Sequence, residues 1–165
     1  MIEIERKFLV TSFDFKDIAL KKTRIAQGYL NTAPERTVRV RIKGEKAFIT
    51  VKGISNASGT SRFEWEKEIL ISDAEMLLPL CEQEIIEKFR YEIPYGSHLI
   101  EVDEFMGKNK GLIVAEIELK SENESFARPD WLGLEVTGKQ QYYNSKLSKK
   151  PVSYTHLTLP TTSRV

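Results

Sequence analysis

From its second residue the chain alternates apolar and charged positions, Ile2-Glu3-Ile4-Glu5-Arg6-Lys7-Phe8. On a strand, whose side chains take opposite faces in turn, that order puts Glu3, Glu5 and Lys7 on one side and Ile2, Ile4 and Phe8 on the other. The same two-residue period predicts strands over residues 2–10, 24–31, 36–43, 46–52, 61–70, 84–92, 98–105 and 112–120. Turn chemistry separates them. Gly44-Glu45 closes a tight hairpin, Pro94-Tyr95-Gly96-Ser97 marks a turn, Gly107 to Gly111 marks another, and the stretch from Gly53 to Ser61 reads as a loop. Consecutive hairpins of this kind predict a mainly β protein with a few helices (α+β), an eight-stranded antiparallel sheet closed into a barrel. Helical signals cover residues 12–20, 72–80 and 139–149, the second with Ser72 as a cap and Glu75 three residues on. Residues 151–165 carry neither period and read as a disordered or non-native tail behind a single domain over residues 1–150.

The polar faces are unusual in what they hold. Arg39, Arg41 and Lys43 share a face, as do Thr50 and Lys52, then Arg62, Glu64, Glu66 and Glu68. Lys88 pairs in the same way with Arg90, Glu101 with Asp103, and Glu116 with Glu118. A merely solvated face mixes Ser, Thr, Gln and Lys, and any single strand here could be one. Like charges at adjacent same-face positions repel, however, and that repulsion recurs from strand to strand unless something bound offsets it. Clustered carboxylates suit a hard divalent cation, and clustered Arg and Lys suit phosphate oxygens. Five or six cations exceed what one phosphate needs, so the pattern points to a metal bound to a chain of phosphates. If the charged faces line a barrel interior, the apolar faces point outward and need covering by helices or by a second copy, which makes a homodimer an expectation.

Composition narrows the classes. With 25 basic and 24 acidic residues the net charge is +1, too balanced for a nucleic-acid binder that depends on counterion release. Cys81 is the only cysteine and reads as a small packing residue, and the two histidines, His98 and His156, do not supply a histidine metal site or a Ser/His/Asp triad. No run approaches the 18 or so apolar residues of a membrane span and no leader pattern opens the chain, so the expectation is a cytoplasmic protein without a membrane partner.

Taken in order, Glu3-x-Glu5-x-Lys7, Arg39-x-Arg41, Thr50-x-Lys52, Glu64-x-Glu66, Lys88-x-Arg90, Asp103 and Glu116-x-Glu118 resemble the signature of the CYTH, or triphosphate tunnel metalloenzyme, superfamily. The resemblance implies an eight-stranded tunnel in which Lys7, Arg39, Arg41, Lys52, Lys88 and Arg90 bind a triphosphate. It further implies that Glu3, Glu5, Glu64, Glu66, Asp103, Glu116 and Glu118 hold Mg²⁺ or Mn²⁺, directly or through water. The final helical segment is similar to one that plugs a tunnel mouth, with Tyr142 as its contributor. The expected activity is hydrolysis of a triphosphate-containing small molecule, inorganic tripolyphosphate first. A class IV adenylate cyclase, a thiamine triphosphatase and a non-catalytic polyphosphate or nucleotide sensor are the alternatives.

Overall fold

The computed structural model describes residues 1–149, and the stretch read as a tail, 151–165, lies outside the described residues. Among the described residues nine strands appear: β1 (Ile2–Val10), β2 (Lys21–Asn31), β3 (Arg36–Lys43), β4 (Lys46–Gly53), β5 (Ser61–Ile69), β6 (Glu82–Tyr95), β7 (His98–Phe105), β8 (Ile113–Glu118) and β9 (Leu132–Glu135). The ladder runs β5-β4-β3-β2-β6-β7-β8-β1-β9, every pair antiparallel, and β1 also pairs with β5. That last pairing, Ile2 to Ile4 opposite Phe63 to Ser61, closes strands β1 to β8 into a barrel. The remaining part of the same edge of β1, around Phe8 and Val10, is taken by β9.

Differences from the sequence reading have local causes. The expected turn at residues 94–97 shrinks to Gly96-Ser97, because Tyr95 pairs with His98 and Gly96 alone has the positive φ (61°) of a two-residue hairpin; Pro94 is still paired in the strand. The helix expected over 72–80 is α2 (Ile71–Leu77) followed by a 3₁₀ turn, and Leu70 rather than Ser72 stands at its N-cap with no side-chain cap bond. Burial sets that register: Ile71, Ala74, Leu77 and Leu78 pack over Val40 and Ala47 on the outer face of β3 and β4. The helix expected over 12–20 is only α1 (Phe15–Ile18). The last expected helix is broken into a 3₁₀ turn at Gln140–Tyr142 and α3 (Asn144–Leu147), with Tyr143 extended between them.

The apolar outer faces are covered on most sides. Phe8, Val102, Ala115 and Ile117 pack beneath Phe15, Phe126, Trp131 and Leu132, with Phe15 edge-on to Tyr91 at 5.3 Å between ring centroids. Along β5 the cover stops, leaving Phe63 47% and Trp65 46% exposed. Inside, one end of the barrel is filled by Ile86, Phe105, Leu112 and Val114, on which Val136, Tyr142 and Leu147 pack. Among the described residues no helix is long and apolar enough to cross a membrane.

The loop after β4 is tied down rather than loose. Ser58 and Thr60 donate to Oε1 of Glu122 at 2.8 and 2.6 Å, and Asn56 donates to Oε2 at 3.2 Å. Gly59 (φ 76°) lies so close to the segment after β9 that a Cβ there would stand 2.3 Å from Gly138 Cα. Gly59→Ala is therefore expected to lower stability by about 1–3 kcal/mol, read as a lower urea midpoint at unchanged slope.

Candidate active site

Because residues opposite one another in an antiparallel ladder share a face, the register decides which charges meet. Glu5 stands opposite Glu118, Lys7 opposite Glu116, and Glu116 opposite Glu101. Arg90 stands opposite Asp103, Thr50 opposite both Arg39 and Glu66, and Lys52 opposite Glu64. These faces turn inward around a cavity of about 180 Å³. Lys7, Arg39, Arg41, Lys52, Lys88 and Arg90 all line it, as do Glu3, Glu5, Glu64, Glu66, Glu116 and Glu118.

Asp103 is set apart. It is 1% exposed and is not part of the cavity wall. Arg90 Nε and Nη2 donate to its two oxygens at 2.7 and 2.8 Å, and Lys88 Nζ lies 2.7 Å from Oδ2. Burial alone would raise its carboxyl, but Arg90 and Lys88 outweigh that and hold it well below the usual range.

The cations and carboxylates left in the wall are imperfectly matched. Lys52 Nζ sits 2.8 Å from Glu3 and 3.4 Å from Glu64, and Glu66 accepts from Thr50 at 2.7 Å with Arg39 and Arg41 at 3.5 and 3.6 Å. Among the described residues Arg39 Nε and Arg41 Nε, both buried, have no hydrogen-bond partner. Burial, then the neighbouring Arg39 and Arg90, depress Arg41 to about 10, and burial also takes Lys88 down to about 8 despite Asp103. The basic side of the wall is short of negative charge.

The acidic side is short of positive charge. Among the described residues Glu5 has one ion pair, with Lys7 at 3.9 Å, and burial together with Glu116 pushes its carboxyl up to about 8 despite Lys52 and Lys7. Glu118, Glu64 and Glu101 are raised too, in each case by burial first. Glu116 goes the other way, since Lys7 and Arg90 outweigh the effect of its burial. An all-oxygen set with an under-compensated buried carboxylate fits a hard divalent cation in its chemistry. Among the described residues no three acidic groups are already gathered as a metal cage, because Glu3, Glu64 and Glu66 are turned toward Lys52, Thr50 and the arginines.

Several wall residues were not singled out from sequence. Tyr29 lies on the inward face of β2, where an alternation of Ile25, Gln27 and Tyr29 carries no charge to flag it. Tyr143, Asn144 and Ser145 come from the aperiodic C-terminal segment. The expected Tyr142 instead packs in the apolar end of the barrel, and the extended residue after it, Tyr143, faces the tunnel with its ring 4.9 Å from Lys7 Nζ and 5.5 Å from Arg62 Cζ. Lys43, Arg62 and Glu101 also line the cavity, whereas Glu68 does not.

Compared with known families, residues 1–154 match the CYTH domain. The chain belongs to the CYTH domain family. This CYTH chain is 47% identical over 150 residues to a protein of Acetivibrio thermocellus named inorganic triphosphatase, covering 90% of this chain and 94% of that one. It is 39% identical over 153 residues to an inorganic triphosphatase of Nitrosomonas europaea, covering 90% and 97%. The crystal structure of the inorganic triphosphatase NE1496 superposes with a TM-score of 0.65 at 36% identity, over 91% of this CYTH chain and 100% of that one.

Proposed function

We propose that this CYTH protein is a metal-dependent inorganic triphosphatase that hydrolyses tripolyphosphate to pyrophosphate and orthophosphate. The observation that carries the reading is the composition of the cavity wall: six buried or half-buried cations predicted from sequence converge there, and among the described residues no aliphatic side chain lines it. Such a wall is dominated by groups that recognise phosphate oxygens, which favours a bare phosphate chain over ATP. The two inorganic triphosphatases at 47% and 39% identity support the same choice.

Lys7, Lys52 and Lys88 supply point charges, and Arg39, Arg41 and Arg90 supply fixed forks, for the oxygens of the phosphate chain. The Nε–H groups of Arg39 and Arg41, unpaired among the described residues, are already desolvated donors and would donate to an anion placed against them. Asp103 holds Arg90 and Lys88 from behind and so keeps their remaining donors turned to the tunnel. Glu3, Glu5, Glu116 and Glu118, with Glu64 and Glu66 beside them, would hold Mg²⁺ or Mn²⁺. That ion, when bound, supplies charge neutralisation at the phosphate and an acidified water. Glu5, pushed up to about 8 by burial and Glu116, would hold such an ion in its ionised form. In the reaction a water oxygen bonds to the terminal phosphorus, the bridging P–O bond breaks, pyrophosphate departs against the cationic wall and one water proton is released.

The test is product analysis on the purified protein with Mg²⁺ or Mn²⁺ and tripolyphosphate, ATP or thiamine triphosphate. Equal amounts of orthophosphate and pyrophosphate from tripolyphosphate, abolished by EDTA, are expected. Cyclic AMP with pyrophosphate from ATP would hand the tunnel to a cyclase. Tight tripolyphosphate binding without any product would make it a sensor.

A further inference from the structure

The C-terminal segment does more than close the barrel end, because three consecutive residues of it line the tunnel. Asn144 is the most telling. Its Oδ1 accepts from Lys88 Nζ at 2.9 Å and from Gln27 Nε2 at 3.0 Å. Lys88 is a pure donor, so this contact fixes which way round the amide lies. With Oδ1 committed, the Nδ2 group makes no hydrogen bond among the described residues and is the polar group Asn144 has left for the cavity it lines. It is a neutral donor beside a lysine and held by one, and an amide of that kind accepts a phosphate oxygen as its partner.

We infer that Asn144 is a substrate-binding residue of this tunnel, its Oδ1 anchored by Lys88 and Gln27 and its Nδ2 donating to an oxygen of the bound phosphate chain. The inference rests on the triphosphate reading of the site and adds to it a ligand from outside the strands. It also ties occupancy to closure: a phosphate held by Asn144 and Lys88 together fastens residues 140–147 to the barrel. Tyr143 joins in that fastening, since its hydroxyl lies 3.3 Å from Ser55 Oγ and its ring covers Lys7.

Asn144→Asp and Asn144→Ala separate this role from a structural one. Aspartate keeps the acceptor for Lys88 and Gln27 but puts a negative charge in place of both donors, whereas alanine removes the donors without adding charge, so Asn144→Ala carries the decision and Asn144→Asp is expected to be the weaker binder of the two. Tripolyphosphate binding to each protein is measured by calorimetry in EDTA, which reads the cationic wall without turnover, alongside KM and kcat with Mg²⁺. Both variants are expected to keep the melting temperature within a few degrees and to bind tripolyphosphate about tenfold or more weakly, with KM raised and kcat nearly unchanged. Saturating tripolyphosphate should slow proteolysis of the C-terminal segment in the wild type and not in either variant. Unchanged binding in Asn144→Ala overturns the inference, and so does a fall in kcat at constant KM, which would mean that Asn144 acts only through Lys88. Should the wild type itself not bind tripolyphosphate, the substrate reading fails first, and that outcome is distinct because it precedes any comparison of variants.

Discussion

Asp103→Asn is expected to destabilise the protein by about 3–5 kcal/mol at neutral pH, the usual cost of removing one member of a buried, hydrogen-bonded charge cluster. Arg90 and Lys88, 6% and 1% exposed, would lose the carboxylate that both of them hold. The pH dependence identifies the cause. Asp103 has a folded-state pKa below its unfolded value, so its contribution is present above the unfolded range near pH 4 and is lost as pH falls toward the depressed folded value. The stability gap between wild type and Asp103→Asn should therefore be widest around pH 5–6 and narrow steadily below about pH 4 in urea titrations, and it should also narrow as pH rises through about 8, where Lys88 gives up its proton. A gap that does not change with pH would mean that the loss is steric rather than ionic. Turnover should fall in parallel at every pH, since Lys88 and Arg90 lose the group that aims them.

Glu5→Gln should do the reverse, leaving a sounder fold and an inactive protein. Glu5 is raised to about 8 in the folded protein, by burial first and Glu116 second. A raised pKa gives a contribution that is complete below the unfolded range near pH 4.5 and is lost as pH climbs through about 8. Glutamine cannot ionise, so without metal Glu5→Gln is expected to melt higher than wild type at pH 8.5 and nearly level with it at pH 4.5. Adding Mg²⁺ or Mn²⁺ should raise the wild-type melting temperature and leave the variant's unmoved. Metal-dependent phosphate release should fall by more than the roughly 100-fold that even outer-shell partners of a metal cost when removed. Normal turnover in Glu5→Gln would remove this carboxylate from the metal set.

What could be read from the sequence was what alternation encodes. Two-residue periodicity located eight strands and chose the inward face of seven of them, all but β2, whose inward face carries no charge, so Lys7, Arg41 and Glu116 were visible as wall residues before any fold was known. Periodicity is silent on depth. Asp103 shares its face with Glu101, yet its position opposite Arg90 puts it behind the wall, and only the β6–β7 register reveals that. Strand β9 is four residues long, too short to show a period, and was not anticipated. The C-terminal segment has neither period, which is why Tyr142 was expected where Tyr143 stands. Capping signals misled at Ser72 because a whole apolar stripe under α2 outweighs one hydroxyl.

The tunnel is thus furnished by two kinds of residue with different freedom to vary. A strand residue such as Lys88 or Glu116 faces the ligand and a charged neighbour at once, so exchanging it disturbs the electrostatic balance of the whole ring. Tyr143, Asn144 and Ser145 reach the same chamber from a short irregular segment that bears no barrel ladder. New substrate preferences on this scaffold therefore have an inexpensive route, in which descendants keep the wall of charges and redraft the few residues at its end.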